Sequence, residues 1–544
     1  MTPSLNNIPQ EILENIAYFC ATSEFLGPPS GLTPLVATSR WTYHCLSVKS
    51  NHCLFAGIFT SKFDVSVYKR RLGGKTDLSN ACLSQELQRR CLCLKQIRQK
   101  FGCRSSGVER SEDEDGDEAG PFTRDELLLR AYLLVLEDEG NNVRQLREYA
   151  RMDEWLKEYW FGDLGASGAR RALKGDEWPV QNEDTRLAMW LFWFLLKPEE
   201  YNQADAAAWR ALDILKVYAL GAHRYPLTVL NWTEFVPQSE PDVKPIEYYS
   251  KELRLAAPAL SSPAILSFIT LASQLHQQTN FLTPSAPSDS SLIRDSDFTE
   301  WDCEWARCRS LGGNPADACL ADTFKPGSIE GVWEGRFTYT EFTSYGNLLS
   351  GGGPSVLTKS VVVKHHQTWK IREHHLLACD ALRDSDSKPV PEENPHLLSL
   401  GDPLRSYFPA GTQIRETSDG LKVHEPGKKP LEYHAAAKLT RARNGNDVGH
   451  VDDGSKSEVL DIIVTGEGHS AWGQFNLAGR IRPCDGLISL SKDYIDGDRG
   501  KWLYRGYLVG NINGPLAGRW RDTVSPVTSR GYEGCFTMTR RRDQ

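Results

Sequence analysis

The chain has 544 residues, a formal net charge of −8 and a 25% share of charged residues, so it is too long for one hydrophobic core and divides into roughly three or four domains. Six of the acids stand together in Glu112–Glu118, and outside that run the charge is close to neutral, which argues against a nucleic-acid partner. The longest apolar run, Leu187–Leu196, has roughly half the length that a membrane span requires.

The opening MTPSLNNIPQ lacks the basic and apolar regions of a secretory leader. Thirteen scattered cysteines follow no secreted framework. The expectation is a reduced protein of the cytoplasm, the nucleus or both, with no membrane partner.

Residues 1–60 read as compact helices. Ile8, Ile12, Leu13, Ile16 and Phe19 recur at helical spacing behind Pro9, which sits where a missing N–H costs nothing. After Gly27-Pro28-Pro29 a second helix runs through Leu32, Leu35, Val36, Ser39, Arg40, Trp41 and Tyr43, and a third apolar patch follows at Leu54–Phe59. Residues 61–104 extend the helices through Leu83, Leu87, Leu92, Leu94 and Ile97. Residues 105–120 form an acidic, disordered surface loop, in which Ser111 is a candidate phosphorylation site.

Residues 121–280 read as a helical spacer. Leu127, Leu128, Ala131, Leu134 and Val135 keep the i, i+3, i+4, i+7 rule, as do Leu187, Trp190, Leu191, Phe194 and Leu195. Thr123 with Glu126 makes a capping box. Residues 281–323 form a linker with Cys303, Cys308 and Cys319, three thiolates that could make part of a zinc site or be free buried thiols. No other metal site or cofactor is expected.

Residues 324–544 read as an antiparallel β-barrel. Gly331–Tyr339 alternates with Trp333, Phe337 and Tyr339 on one face. Further strands are expected at Val361–Val363, Trp369–Leu377, Gly411–Glu416, Val459–Val464 and Cys535–Thr539. Within Thr465–Asp522, Gly473, Phe475, Leu477, Gly479 and Ile481 fall on one side of a period-two pattern, and Gln474, Asn476, Ala478, Arg480 and Arg482 on the other. Turns are expected at Pro483–Gly486, Asp496–Asp498 and Asn511–Gly514. Eight to ten strands of this kind close into an up-and-down barrel without exposed edges. The Gly-x-Trp of the first strand and a late arginine, Arg519 or Arg521, are similar to the pair that closes the floor of lipocalin-like barrels.

Catalytic patterns fail on spacing. Gly468-His469-Ser470-Ala471-Trp472 lacks the last glycine of a nucleophile elbow. His365-His366 and His374-His375 could meet across a hairpin, but adjacent strand residues point to opposite faces. Asp461, Glu467 and Asp485 are a possible carboxylate group that nothing in the spacing selects over turn acids.

The order Ile8-Pro9-x-Glu11-Ile12, Ile16, Leu35-Val36, Ser39-Arg40-Trp41 and Leu54-Phe55 resembles an F-box. The chain as a whole resembles F-box only proteins with a C-terminal β-barrel, including those related to F-box only protein thirty-one. The resemblance implies an α+β multidomain protein: F-box helices, a helical middle and an antiparallel, lipocalin-like barrel. It implies a non-enzymatic substrate receptor of an SCF-type ubiquitin ligase. Ile8, Pro9, Ile12, Leu13, Ile16, Leu35 and Val36 would then bind Skp1, and through it the cullin and RING subunits. The barrel would hold a protein or peptide target for ubiquitination and proteasomal degradation, with Trp472, Arg480, Arg482, Asp485, Arg505 and Arg519 as candidate contacts. Those arginines could equally plug the barrel or pair with acids. The rival functions are a small-ligand-binding or sensor barrel and a hydrolytic enzyme.

Overall fold

The computed structural model describes residues 8–72, 78–105, 122–201, 206–227, 244–279, 301–312, 324–360, 362–378, 397–439 and 458–541. The acidic run Glu112–Glu118, Ser111 and Cys319 lie outside them.

The first half is helical. Helices span Gln10–Thr22, Leu32–Val36, Arg40–Leu46, His52–Lys62, Ser66–Leu72 and Asn80–Arg98. The single second helix expected from the spacing is two. Ser39 lies in extended conformation and its hydroxyl accepts the Thr42 N–H, which starts a new helix at Arg40. Further helices run over Arg124–Leu136, Met152–Phe161, Glu183–Phe194, Ala206–Leu220, Ser261–Thr279 and Asp302–Gly312. Thr123 stands at the N-cap of the first of these, but its side chain makes no cap bond; Glu126 pairs instead with Arg130 one turn on.

The helical middle also contains a hairpin that periodicity did not indicate, β1 (Lys244–Tyr248) and β2 (Lys251–Leu255). Its two-residue turn places Tyr249 and Ser250 at φ of 48° and 59°, without a glycine. The buried Arg90 guanidinium holds that turn. It donates to the Tyr249 hydroxyl at 2.8 Å and to Glu137 at 2.7 Å, and pairs with Glu86 at 3.2 Å. A positive φ at tyrosine is tolerated where such contacts over-determine it.

The second half carries β3 (Gly331–Thr340), β4 (Val362–Leu377), β5 (Gln413–Glu416), β6 (Gly420–His424), β7 (Leu431–Ala435), β8 (Val459–Ser470), β9 (Gly473–Ile481), β10 (Ile488–Tyr494), β11 (Lys501–Leu508), β12 (Leu516–Asp522) and β13 (Glu533–Arg540). Strands β3, β4, β8, β9, β10, β11, β12 and β13 pair antiparallel in that order, and β13 returns to β3, which closes an eight-stranded barrel. The two segments expected at 361–363 and 369–377 are one strand, the long β4. Its N-terminal part pairs with β3, and its C-terminal part with β7, which brings in the β5–β6–β7 meander.

The inner face is the apolar side of the alternation. Trp333, Phe337, Trp369, Ile371, Phe475, Leu477, Ile481, Leu490, Tyr504, Trp520 and Phe536 form one buried cluster. Gly506 and Gly518 lie directly opposite each other in this wall, and a Cβ on Gly518 would stand 2.6 Å from the Gly506 Cα. The outer face of β12 and β13 is buried as well, against helices Ala206–Leu220 and Ser261–Thr279. Ala517 and Cys535 therefore belong to the same core as Leu13, Trp190 and Leu215.

Candidate functional site

Two surfaces stand out, one at each half. In helix Gln10–Thr22, Leu13, Ala17 and Ala21 turn into the helical core. The opposite side carries Ile12, 50% exposed, Ile16, 38%, and Phe19, 70%. Pro9 is exposed beside them, Ile8, Leu35 and Val36 are half-buried, and Tyr43 is exposed on the helix Arg40–Leu46. Of the residues expected at a partner interface, Leu13 alone is fully buried, because it lies one position off the exposed stripe. Phe19 and Tyr43 were not among those expected; Phe19 continues the Ile12, Ile16 spacing by one turn.

The second surface is one end of the barrel. The β8–β9, β10–β11 and β12–β13 connections all lie at this end, together with residues 341–360, which follow β3. Trp472 sits in the β8–β9 turn, where Gly473 at φ +117° permits a tight reversal. Its indole packs 5.3 Å from the rings of Phe337, Tyr339 and His365. Trp502 stands edge-on to Trp520 at 5.2 Å nearby. Beneath this aromatic cover lies Lys492, on the inner face of β10. Its Nζ is 4.0 Å from the ring centre of Phe475, 4.7 Å from Phe337, 4.9 Å from Tyr494 and 5.5 Å from Tyr504. It donates one hydrogen bond, 3.0 Å to Gln367 Oε1. Burial pushes the amine down to about 7.

The remaining candidate contacts lie away from this mouth. Arg480, Arg505 and Arg519 form a cross-strand row on the outer wall, in register through Ser489. Arg480 pairs with Asp461 at 2.9 Å and donates to the carbonyls of Ser399 and Tyr407 at 3.1 Å each. Arg505 donates to the Tyr407 hydroxyl and lies 4.7 Å over that ring. Burial lowers its guanidinium to about 10, although Tyr407 favours the charged form. Arg519 is buried against the helices and donates to the carbonyls of Tyr218 at 3.2 Å, Ala219 at 2.5 Å and Tyr225 at 2.8 Å. Arg482 and Asp485 pair with each other at the β9–β10 turn, the opposite end of the barrel from Trp472.

The arginine beside the first-strand tryptophan is neither Arg519 nor Arg521. Both occupy the outward side of β12, and Arg521 donates to loop carbonyls at Pro526 and Ser529. Arg540 of β13 instead lies 5.1 Å over the Trp333 ring, and the Trp333 indole donates to Ile329 at 2.8 Å. The Lys325-Pro326-Gly327 entry is pinned from below by Glu373, whose carboxylate accepts the N–H groups of Gly327, Ile329 and Glu330.

Other chemical patterns disperse. His365, His366, His374 and His375 share β4, so the two pairs do not face each other across a hairpin. Gly468–Trp472 ends one strand and turns into another rather than into a helix. Asp461 is bound to Arg480, Asp485 to Arg482, and Glu467 faces Lys370 at 3.8 Å on the surface. Cys303 and Cys308 are buried on the helix Asp302–Gly312, and burial raises both thiols, Cys303 to about 11. Among the described residues no group of three His, Cys, Asp or Glu side chains is placed to hold a metal ion, and no helix is long and apolar enough to cross a membrane. The chain matches no protein-family model, no curated protein and no solved structure.

Proposed function

We propose that this protein is the substrate-recognition subunit of an SCF-type ubiquitin ligase. Its N-terminal helices are the F-box that binds Skp1, and through Skp1 the cullin and RING subunits. The barrel holds a protein or peptide target. The role needs no bond-making residue in this chain, because holding the target beside a charged E2 raises the effective concentration of its lysines.

One observation carries the proposal: Ile12, Ile16 and Phe19 line the solvent side of a helix whose other side already builds the core. Apolar side chains at helical spacing on an exposed face are the anchors of helix-mediated interfaces. Ile12→Asp together with Phe19→Asp alters that face and leaves Leu13 in place. The expected result is loss of Skp1 co-purification with an unchanged thermal melt. Full retention of Skp1 by the folded double variant would exclude the F-box role.

The target-binding end is placed at the aromatic mouth around Trp472, where a peptide end could insert between half-exposed rings. The small-ligand function keeps one specific observation in its favour, the amine of Lys492 inside the barrel.

A further inference from the structure

A lysine inside an apolar barrel needs a reason. Ile488, Leu490, Lys492 and Tyr494 alternate onto the inner face of β10, and every neighbour in that row is apolar or aromatic. Lys492 is 1% exposed, and among the described residues no Asp or Glu pairs with it. The polar and titratable groups that face it are Gln367 and His365 from β4, Tyr494 from its own strand and Tyr504 from β11. None is an acid. A buried ammonium held only by ring faces and one amide oxygen is costly, and the cation–π contacts recover only part of that cost. A methionine would fill the same volume without that cost.

The surroundings suit a different chemistry. Amines buried among apolar walls are the lysines that form Schiff bases, since the neutral amine is the nucleophile. Trp472 packs on Phe337, the same ring that Lys492 touches, and it stands in a two-residue turn at the rim. Through Phe337 the indole at the rim is in contact with the wall that surrounds the amine. Beside the amine, the Tyr494 hydroxyl shares a hydrogen bond of 3.1 Å with that of Ser470.

We propose that the barrel mouth admits a small apolar aldehyde or ketone past Trp472 and that Lys492 binds it as a reversible imine. The amine nitrogen adds to the carbonyl carbon. The carbonyl oxygen then leaves as water with both amine hydrogens, and a C=N bond remains. Hydrolysis returns the free amine and the carbonyl compound, so no oxidant, reductant or second reactant is needed. The depressed basicity of Lys492 fits this use: with a value of about 7, roughly half the amine is neutral at pH 7, against fewer than about one in a thousand for an ordinary lysine. The inference does not depend on what the N-terminal helices bind.

The test treats the full-length folded protein with benzaldehyde and sodium cyanoborohydride at pH 7, then maps benzylated lysines by peptide mass spectrometry. The expected result is an adduct at Lys492 that forms about tenfold or more faster than at any exposed lysine. Trp472→Ala should accelerate it, and Lys492→Met should leave only the slow background at other sites. Labelling of exposed lysines with Lys492 unmodified in the folded chain, but modified after unfolding in urea, would overturn the proposal. So would an adduct at Lys492 that forms no faster than the exposed ones.

Discussion

Arg519 offers the sharpest test of how the barrel is tied to the helices. Its guanidinium is fully buried and donates to three backbone carbonyls, two of them in the last turn of helix Ala206–Leu220. Those carbonyls have no further helical N–H to accept from, and they carry the negative end of the helix dipole. Arg519→Ala leaves them buried without a donor and opens a void. A charge-assisted bond contributes about 1.5–3 kcal/mol, and an orphaned carbonyl costs about 1–3 kcal/mol. Relief of the buried charge offsets part of the sum, so the net loss should be about 3–5 kcal/mol. Arg519→Met keeps most of the volume and should cost less, about 1–3 kcal/mol. The barrel and helices share one core and melt as a unit of roughly 400 residues, so Arg519→Ala lowers the midpoint by roughly 3–6 °C. Thermal unfolding followed by tryptophan fluorescence measures this directly. A shift under about 2 °C for Arg519→Ala, or a larger loss for Met than for Ala, would refute the strut.

Two further substitutions read neighbouring parts of the barrel. Asp461→Asn should cost about 3–5 kcal/mol, because Arg480 loses its buried counter-charge while Tyr433 loses a carboxylate acceptor at 2.7 Å; adding Arg480→Met should recover much of the thermal midpoint, and no recovery would mean that the pair is not the cause. Lys492→Met should stabilise the protein with a defined pH profile. The folded amine sits at about 7 against 10.5, so the unfolded chain binds the extra proton between those values and wild-type stability rises with pH across that window. The advantage of the methionine variant is therefore largest below about pH 7 and fades towards pH 10; equal midpoints of the two proteins at pH 6 would contradict a buried ammonium.

The barrel was legible in the sequence because its inner face is strictly periodic. Phe475, Leu477 and Ile481 alternate with polar residues, and Pro483–Gly486 and Asn511–Gly514 mark turns between β9 and β10 and between β11 and β12. The same alternation misdirects at Arg480, Arg505 and Arg519. It assigns them to the outer face but does not tell whether that face is wet, and here it is covered by residues 397–409 and by helices some 300 positions away. Lys492 carries a signal of its own, a lysine on the apolar side of its strand. The floor arginine, Arg540, lay beyond the strand proposed at Cys535–Thr539, where the alternation had faded. The β1–β2 hairpin had no local signature, since its turn is held by Arg90 from a distant helix rather than by glycine or asparagine.

One core runs unbroken from Leu13 in the first helix to Cys535 in the last barrel strand. The molecule is thus closer to a set square than to two beads on a string. The exposed stripe of Ile12, Ile16 and Phe19 and the mouth at Trp472 therefore stand on the same continuous core of described residues. Turning one face against the other would have to draw part of that buried surface into water.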